Sequence, residues 1–314
     1  MIAKCDHSRM VSPCRAAFDR VCLLFTKTGN PLMCDFRCLA MAGCLLVLSA
    51  IPGAVGDLIY QSESGGAIST FDTVGGVPTA IGDTAVQTID ALAFGPGGVL
   101  LGIRDTDITN NASLYTIDLN TGAATLVRQT GLVLPEGLAY GLDGTLYTMA
   151  GGSLHSLNPA TAEAALLASG LVQFDGLTVA PLDVASAAGT IARGSLVGVR
   201  PTLEDGGITY IYAIYLDTLT QTLVHTVPLS VVDETLEFGP DGTLYGNDHI
   251  RSPGGSGWWV VDLLGDNHQR IGITNTRVWG SAILSVPEPS TLAIRGAGLA
   301  AVMSARCRRV REGR

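Results

Sequence analysis

One short phrase recurs along the middle of the chain, and it limits the possible folds more than any other feature. Ala91-Leu92-Ala93-Phe94-Gly95-Pro96-Gly97-Gly98 aligns with Gly137-Leu138-Ala139-Tyr140-Gly141-Leu142-Asp143-Gly144, and both align with Thr235-Leu236-Glu237-Phe238-Gly239-Pro240-Asp241-Gly242. Each copy reads as a short strand, a tight turn with Gly where φ is positive, and a second strand. Gly176-Leu177-Thr178-Val179-Ala180-Pro181 is a weaker fourth copy. A second motif alternates with the first: a strand running into a turn, as in Leu114 to Gly122, repeated at Ile68 to Asp72, Leu154 to Asn158 and Trp258 to Asp262. Ile211 to Val224 supplies a fifth copy. Units of four strands with a period of about 40–47 residues are the pattern of propeller blades.

Register predicts how the ring closes. Ile68 precedes Leu114 by 46 residues, and Gly95 precedes Gly141 by the same 46. One unit before the first inner strand lies an apolar leader, so the first blade lacks an inner strand of its own. Trp279 to Ser285 falls about one period after Thr235 to Gly239 and has no strands behind it. It is free to complete the first blade, which leaves no open sheet edge. The expectation is an all-β propeller of five four-stranded blades, or six if the long interval Pro181 to Gly207 hides degenerate strands. That interval exceeds its counterparts by about a dozen residues, an Ala-rich stretch from Leu182 to Arg193, and a later loop in it holds Glu204 and Asp205. Insertions of this kind map to loops on one face.

Charge and cysteine divide the chain in the same places. From Asp57 to Val286 there are 23 Asp and Glu against 7 Arg and no Lys. So acidic a segment excludes nucleic acid as a partner, since phosphate binding needs clustered basic residues. Six of the seven cysteines precede residue 45 and the last is Cys307, so the middle is thiol-free and suits an oxidising compartment. Residues 1–32 fit no signal design and read as a mis-called or disordered extension, with Met33 as the alternative translation start. Residues 33–56 have the three parts of a secretory signal: Arg37 as the positive charge, an apolar run from Leu39 to Ile51, and small residues at Ala54-Val55-Gly56. Cleavage is expected between Gly56 and Asp57. Met41-Ala42-Gly43-Cys44 approximates a lipobox, but the main apolar run follows Cys44 instead of preceding it. The repeat domain is then 57–286, and 287–314 form a tail.

That tail runs Pro287-Glu288-Pro289, then an apolar stretch from Leu292 to Ala305, then a basic cluster of Arg306, Arg308, Arg309 and Arg311. The order resembles the PEP-CTERM signal of Gram-negative bacteria. The resemblance implies an exosortase-like processing enzyme as partner, transient anchoring in the inner membrane, and arrival at the cell envelope, the surface or the medium. It also implies an association with exopolysaccharide. The physics agrees: a basic cluster resists translocation, so the apolar stretch halts export and presents the two prolines, held extended, on the outer side. Arg295 departs from the pattern, at an insertion cost of about 2.5–3.5 kcal/mol were it at the helix centre.

Catalytic signatures are missing from the sequence. It has no nucleophile elbow, no His-Glu-x-x-His and no phosphate-binding Gly loop. The repeat domain holds His155, His225, His249 and His268, and His155 falls on an expected strand as a packed or rim residue. Asp105-Thr106-Asp107 with Asn110 has the flavour of a calcium loop but lacks the Gly and distal Glu of an EF-hand. The reading is a non-enzymatic binding or scaffold module without a cofactor. The alternative is a metal-dependent hydrolase resembling propeller lactonases, with Glu136, Asp175, Asn247 and Asp248 near strand ends as oxygen ligands for calcium or magnesium. Asp118, Asp143 and Asp241 are assigned to turns instead.

Overall fold

The computed structural model describes residues 56–105, 112–202, 207–248, 256–274 and 276–284. Three strands open the ring: β1 (Leu58–Glu63), β2 (Ala67–Asp72) and β3 (Pro78–Asp83). The second blade is β4 (Ala91–Phe94), β5 (Leu100–Arg104), β6 (Ser113–Ile117) and β7 (Ala124–Gln129). The third is β8 (Pro135–Tyr140), β9 (Leu146–Ala150), β10 (Ser153–Leu157) and β11 (Ala164–Ser169). The fourth begins with β12 (Gly176–Val179), inserts a small hairpin of β13 (Val184–Ser186) and β14 (Gly189–Ile191), and continues as β15 (Leu196–Thr202), β16 (Ile208–Tyr215) and β17 (Thr220–Pro228). The fifth is β18 (Thr235–Phe238), β19 (Leu244–Asn247), β20 (Gly257–Val261) and β21 (Gln269–Ile273). A last strand, β22 (Val278–Ile283), pairs antiparallel with β1, and the first sheet reads β22-β1-β2-β3. The ring therefore has five blades closed by its last strand. The long third interval holds a two-stranded hairpin, not a sixth blade.

The inner strands β22, β4, β8, β12 and β18 neighbour one another around the axis. They can approach closely because the first channel-facing position carries a small residue in every blade: Gly280, Ala91, Gly137, Gly176 and Thr235. A Cβ on Gly176 would stand 2.6 Å from the Glu234 carbonyl oxygen, and one on Gly280 would stand 2.7 Å from the Ala91 Cα. A side chain at either place would push two blades apart.

Each gap between blades is filled by its own apolar cluster. Ile68, Leu92, Leu100 and Ile117 join blades 1 and 2, and Leu114, Leu138 and Leu146 join blades 2 and 3. Met149, Phe174 and Leu196 seal the next gap, and Val197, Ile211, Leu236 and Leu244 the one after. Phe71, Tyr245, Trp258 and Val278 close blade 5 onto blade 1. Blades are buried on both faces, so their strands need apolar residues at consecutive positions and not at alternate ones. This accounts for a mean hydropathy of +0.35 in a chain whose described residues include no helix long and apolar enough to cross a membrane.

Every blade also has a bulge at the same place, where its third strand pairs with its outermost one. The shifts fall at Ile68/Ser69, Leu114/Tyr115, Leu154/His155, Ile211/Tyr212 and Trp258/Trp259. A bulge adds local twist, which turns the outer part of each blade relative to the inner part. The third-strand turns repeat as well. Asp72, Asp118, Asn158 and Asp262 each accept a hydrogen bond from the backbone N–H two residues on, a turn that recurs in four of the blades.

Candidate functional site

The residue just before the small inner position stands at one mouth of the channel in every blade. Reading round the ring, these residues are Asp90, Glu136, Asp175, Glu234 and Trp279. Four carboxyl groups so placed repel one another and are partly withdrawn from water. Burial pushes the Asp90 carboxyl up to about 7, against the N–H that Asp105 donates to it at 2.6 Å. Burial raises Asp175 to about 8, with the neighbouring Glu136 adding to the shift. Asp175 hydrogen-bonds to Glu136 and is the partner that keeps the proton. Burial raises Glu136 too, but the amide of Gln173 donates to it at 2.9 Å and opposes the rise. Glu234 is paired with Arg277 at 2.7 Å, and that guanidinium lies 3.6 Å over the ring of Trp279. With Asp90 near 7 and Asp175 near 8, the mouth at neutral pH includes carboxyls that hold a proton and can both donate and accept.

Deeper in, the channel narrows to a polar plug. Glu237 is buried on β18 and accepts hydrogen bonds from the hydroxyls of Thr178 and Ser281, both at 3.2 Å. Burial holds its carboxyl well above the usual range, and the two hydroxyls oppose that rise. Beyond the plug, at the C-terminal ends of the inner strands, lies an apolar basin of about 620 Å³. Phe94, Tyr140, Val179, Phe238 and Leu284 line it, one from each blade. The two mouths differ in chemistry: one is acidic and tight, the other apolar and wide.

The candidates read from the sequence fall into two groups. Glu136 and Asp175 come together at the acidic mouth. Asn247 and Asp248 lie at the end of β19, the second strand of blade 5, and serve that blade. Asn247 accepts from the Ser256 hydroxyl at 3.1 Å. Asp248 accepts from the Gly257 N–H at 2.7 Å and the Trp259 indole at 3.0 Å, and lies 3.9 Å from the Arg270 guanidinium. The four do not form one ligand set. Asp57 opens the described fold next to Gly56, and its carboxylate accepts from the Tyr245 hydroxyl at 2.9 Å. His155 sits half-buried on β10. Pro287, Glu288, Pro289, the four arginines of the tail, Thr106, Asp107, Asn110, Glu204, Asp205 and His249 lie outside the described residues. Asp90, Glu234 and Trp279 were not legible as site residues. Their only signal is the slot immediately upstream of the repeated phrase.

Residues 285–309 match the PEP-CTERM protein-sorting motif. The tail is a sorting signal. The PEP-CTERM motif starts one residue after Leu284, so it issues directly from the strand that closes the ring, and it marks the chain as an exported protein handled by an exosortase. No curated protein matches the sequence. Among solved structures, the nidogen/laminin complex is similar at a TM-score of 0.47 and 15% identity, over 73% of this chain and 98% of that one. TolB from Acinetobacter baumannii is similar at 0.41 and 14%, over 76% of this chain and 58% of TolB. Hydrazine synthase of Kuenenia stuttgartiensis is similar at 0.33 and 16%, over 59% of this chain and 49% of that one. At these levels none of them bears on what the chain does.

Proposed function

We propose that this protein is a non-enzymatic binding or scaffold propeller, sorted by an exosortase at the cell envelope, that engages exopolysaccharide through its acidic mouth. The observation that carries the reading is the PEP-CTERM motif joined without a linker to a closed ring. Seven residues, 285–291, separate Leu284 from the apolar stretch, a reach of at most about 25 Å. Until processing, the basin side is tethered close to the membrane and the acidic mouth is on the far side. Carboxyls that both donate and accept suit a hydroxyl-rich ligand. Against a lactonase-type reaction stands the dispersal of the four oxygen candidates, two of which are committed to holding blade 5 together.

Replacing Pro287, Glu288 and Pro289 with alanines tests the sorting half. An unprocessed form should accumulate in the inner membrane, seen as a size shift on immunoblots of fractionated cells. Unchanged size and location would refute it. For the ligand half, secreted protein should co-sediment with purified exopolysaccharide, and Asp175→Asn with Glu136→Gln should release it. Co-sedimentation unaffected by the pair would remove the mouth from the reading.

A further inference from the structure

Away from the channel, two histidines from neighbouring blades meet at the outer part of the ring. His225 lies on β17 of blade 4. His268 lies in the turn between β20 and β21 of blade 5, two residues after Asp266. One ring nitrogen of each histidine and a carboxylate oxygen of Asp266 all lie within 4.8 Å of one another. The ring centroids are 6.1 Å apart.

Hydrogen bonds fix which nitrogens carry lone pairs. His225 Nε2 is 3.1 Å from the Gly265 carbonyl oxygen, which can only accept. Nε2 therefore holds the proton and Nδ1 is left as a donor atom for an ion. A second ring N–H given to a backbone carbonyl is the usual support of a metal-bound histidine. His268 Nδ1 accepts the Asp262 N–H at 3.1 Å, while its Nε2 is buried with no hydrogen-bond partner. The turn is held by other groups: the Asp262 carboxylate accepts from Leu264 N–H at 2.9 Å and Asn267 N–H at 3.3 Å. The inserted hairpin of blade 4 grips the same turn, with Ala187 N–H donating to Leu263 O at 2.8 Å.

We propose that His225, His268 and Asp266 form a site for a divalent transition-metal ion, with zinc as the best match, which staples blade 4 to blade 5. Two imidazoles and one carboxylate suit zinc, whereas calcium and magnesium favour all-oxygen sets. Donor atoms around a tetrahedral zinc with bonds of about 2.0–2.1 Å stand about 3.3–3.4 Å apart, so binding needs only a modest contraction. Asp266 is exposed and can swing inward. Ligation through His268 Nε2 shifts that ring's proton to Nδ1 and gives up the Asp262 N–H contact. The exchange frees Nε2 for the ion but sets the new Nδ1–H against the Asp262 N–H, so the ring must turn away from that N–H and the metal bond must offset one lost neutral hydrogen bond. Water takes the fourth position.

The test uses the full chain with its thiols alkylated, because seven cysteines would otherwise compete for the ion. Zinc chloride is titrated by calorimetry, and melting is followed with zinc and with EDTA. The expected result is one site whose occupation raises the melting temperature. His225→Ala and His268→Ala should each weaken binding at least tenfold, and Asp266→Asn several-fold, with the zinc-dependent rise in melting temperature lost in parallel. Circular dichroism of the metal-free variants checks folding first. Should a histidine variant misfold, Asp266→Asn and Asp266→Ala decide alone, since an exposed carboxylate can be changed without touching the core. Absence of zinc binding, or binding that survives these substitutions, overturns the proposal.

Discussion

Asp90 and Asp175 make the ring's stability depend on pH in an unusual direction. Their carboxyls titrate near 7 and 8 in the folded chain, against an ordinary 3.8, with burial as the main cause. Between those values the folded state holds more protons than the unfolded one, so stability falls as pH rises. The contribution is complete below about pH 4 and gone above about pH 8, the reverse of an ion-paired aspartate. Melting temperature should therefore decline from pH 5 to pH 8. Asp175→Asn, which keeps a donor for Glu136 but cannot ionise, should flatten the decline and melt above the parent at pH 8. A slope identical to the parent's would show that the carboxyl is not held as described. The residues of this mouth were only half legible in the sequence. Glu136, Asp175, Asn247 and Asp248 all read alike as oxygen-bearing residues near strand ends, but Asn247 and Asp248 hold blade 5 together instead. His225 and His268 are 43 positions apart and give no local signal, because only the packing of two blades brings them together.

At the scale of elements, the repeat was legible because a blade buried on both faces must spell its strands in nearly uninterrupted apolar residues, broken by Gly and Asp turns. The inserted hairpin was legible as extra length and not as strands, since Leu182 to Arg193 is mostly small residues without alternation. Less visible was the seam between blades 5 and 1. Trp258 is fully buried there, 6.1 Å from Phe71 between ring centroids, and its indole N–H donates to Gln61 at 2.8 Å. Trp258→Ala would remove a large side chain and strand a buried amide oxygen. We expect a loss of about 3–5 kcal/mol from the cavity alone, measured by urea denaturation. A loss under about 1 kcal/mol would mean that the seam repacks. The closing strand makes a stronger demand. A chain ending at Thr274 lacks β22, which exposes the inner edge of β1 and removes Val278 and Ala282 from two apolar clusters. Such a chain should aggregate or melt far below the parent, because whole domains are stable by only about 5–15 kcal/mol. A soluble product with an unchanged melting curve would mean that β22 contributes little to closure.

The whole molecule follows from a ring joined by its two ends. Ser62 pairs with Gly280, and the Thr276 hydroxyl donates to Glu63 across 213 positions of sequence. That the ring would close in this way was readable from the spacing of the motifs, since the first blade was one strand short and the last segment one strand over. What chemistry the ring carries was far less readable, because channel lining is set by which side chains the blades turn inward and not by spacing. Closure also has a consequence in time. A chain exported N-terminus first delivers β1 early and β22 last, so β1 waits with an unpaired edge while four blades form beside it. Such an edge is a hazard for as long as it stays open. Slow or interrupted translocation would therefore lengthen a vulnerable interval, and a chain cut short at its 3′-encoded end could never leave it. The strand that seals the ring is followed at once by the sorting tail, so no chain can reach its processing enzyme without having first carried its own seal across the membrane.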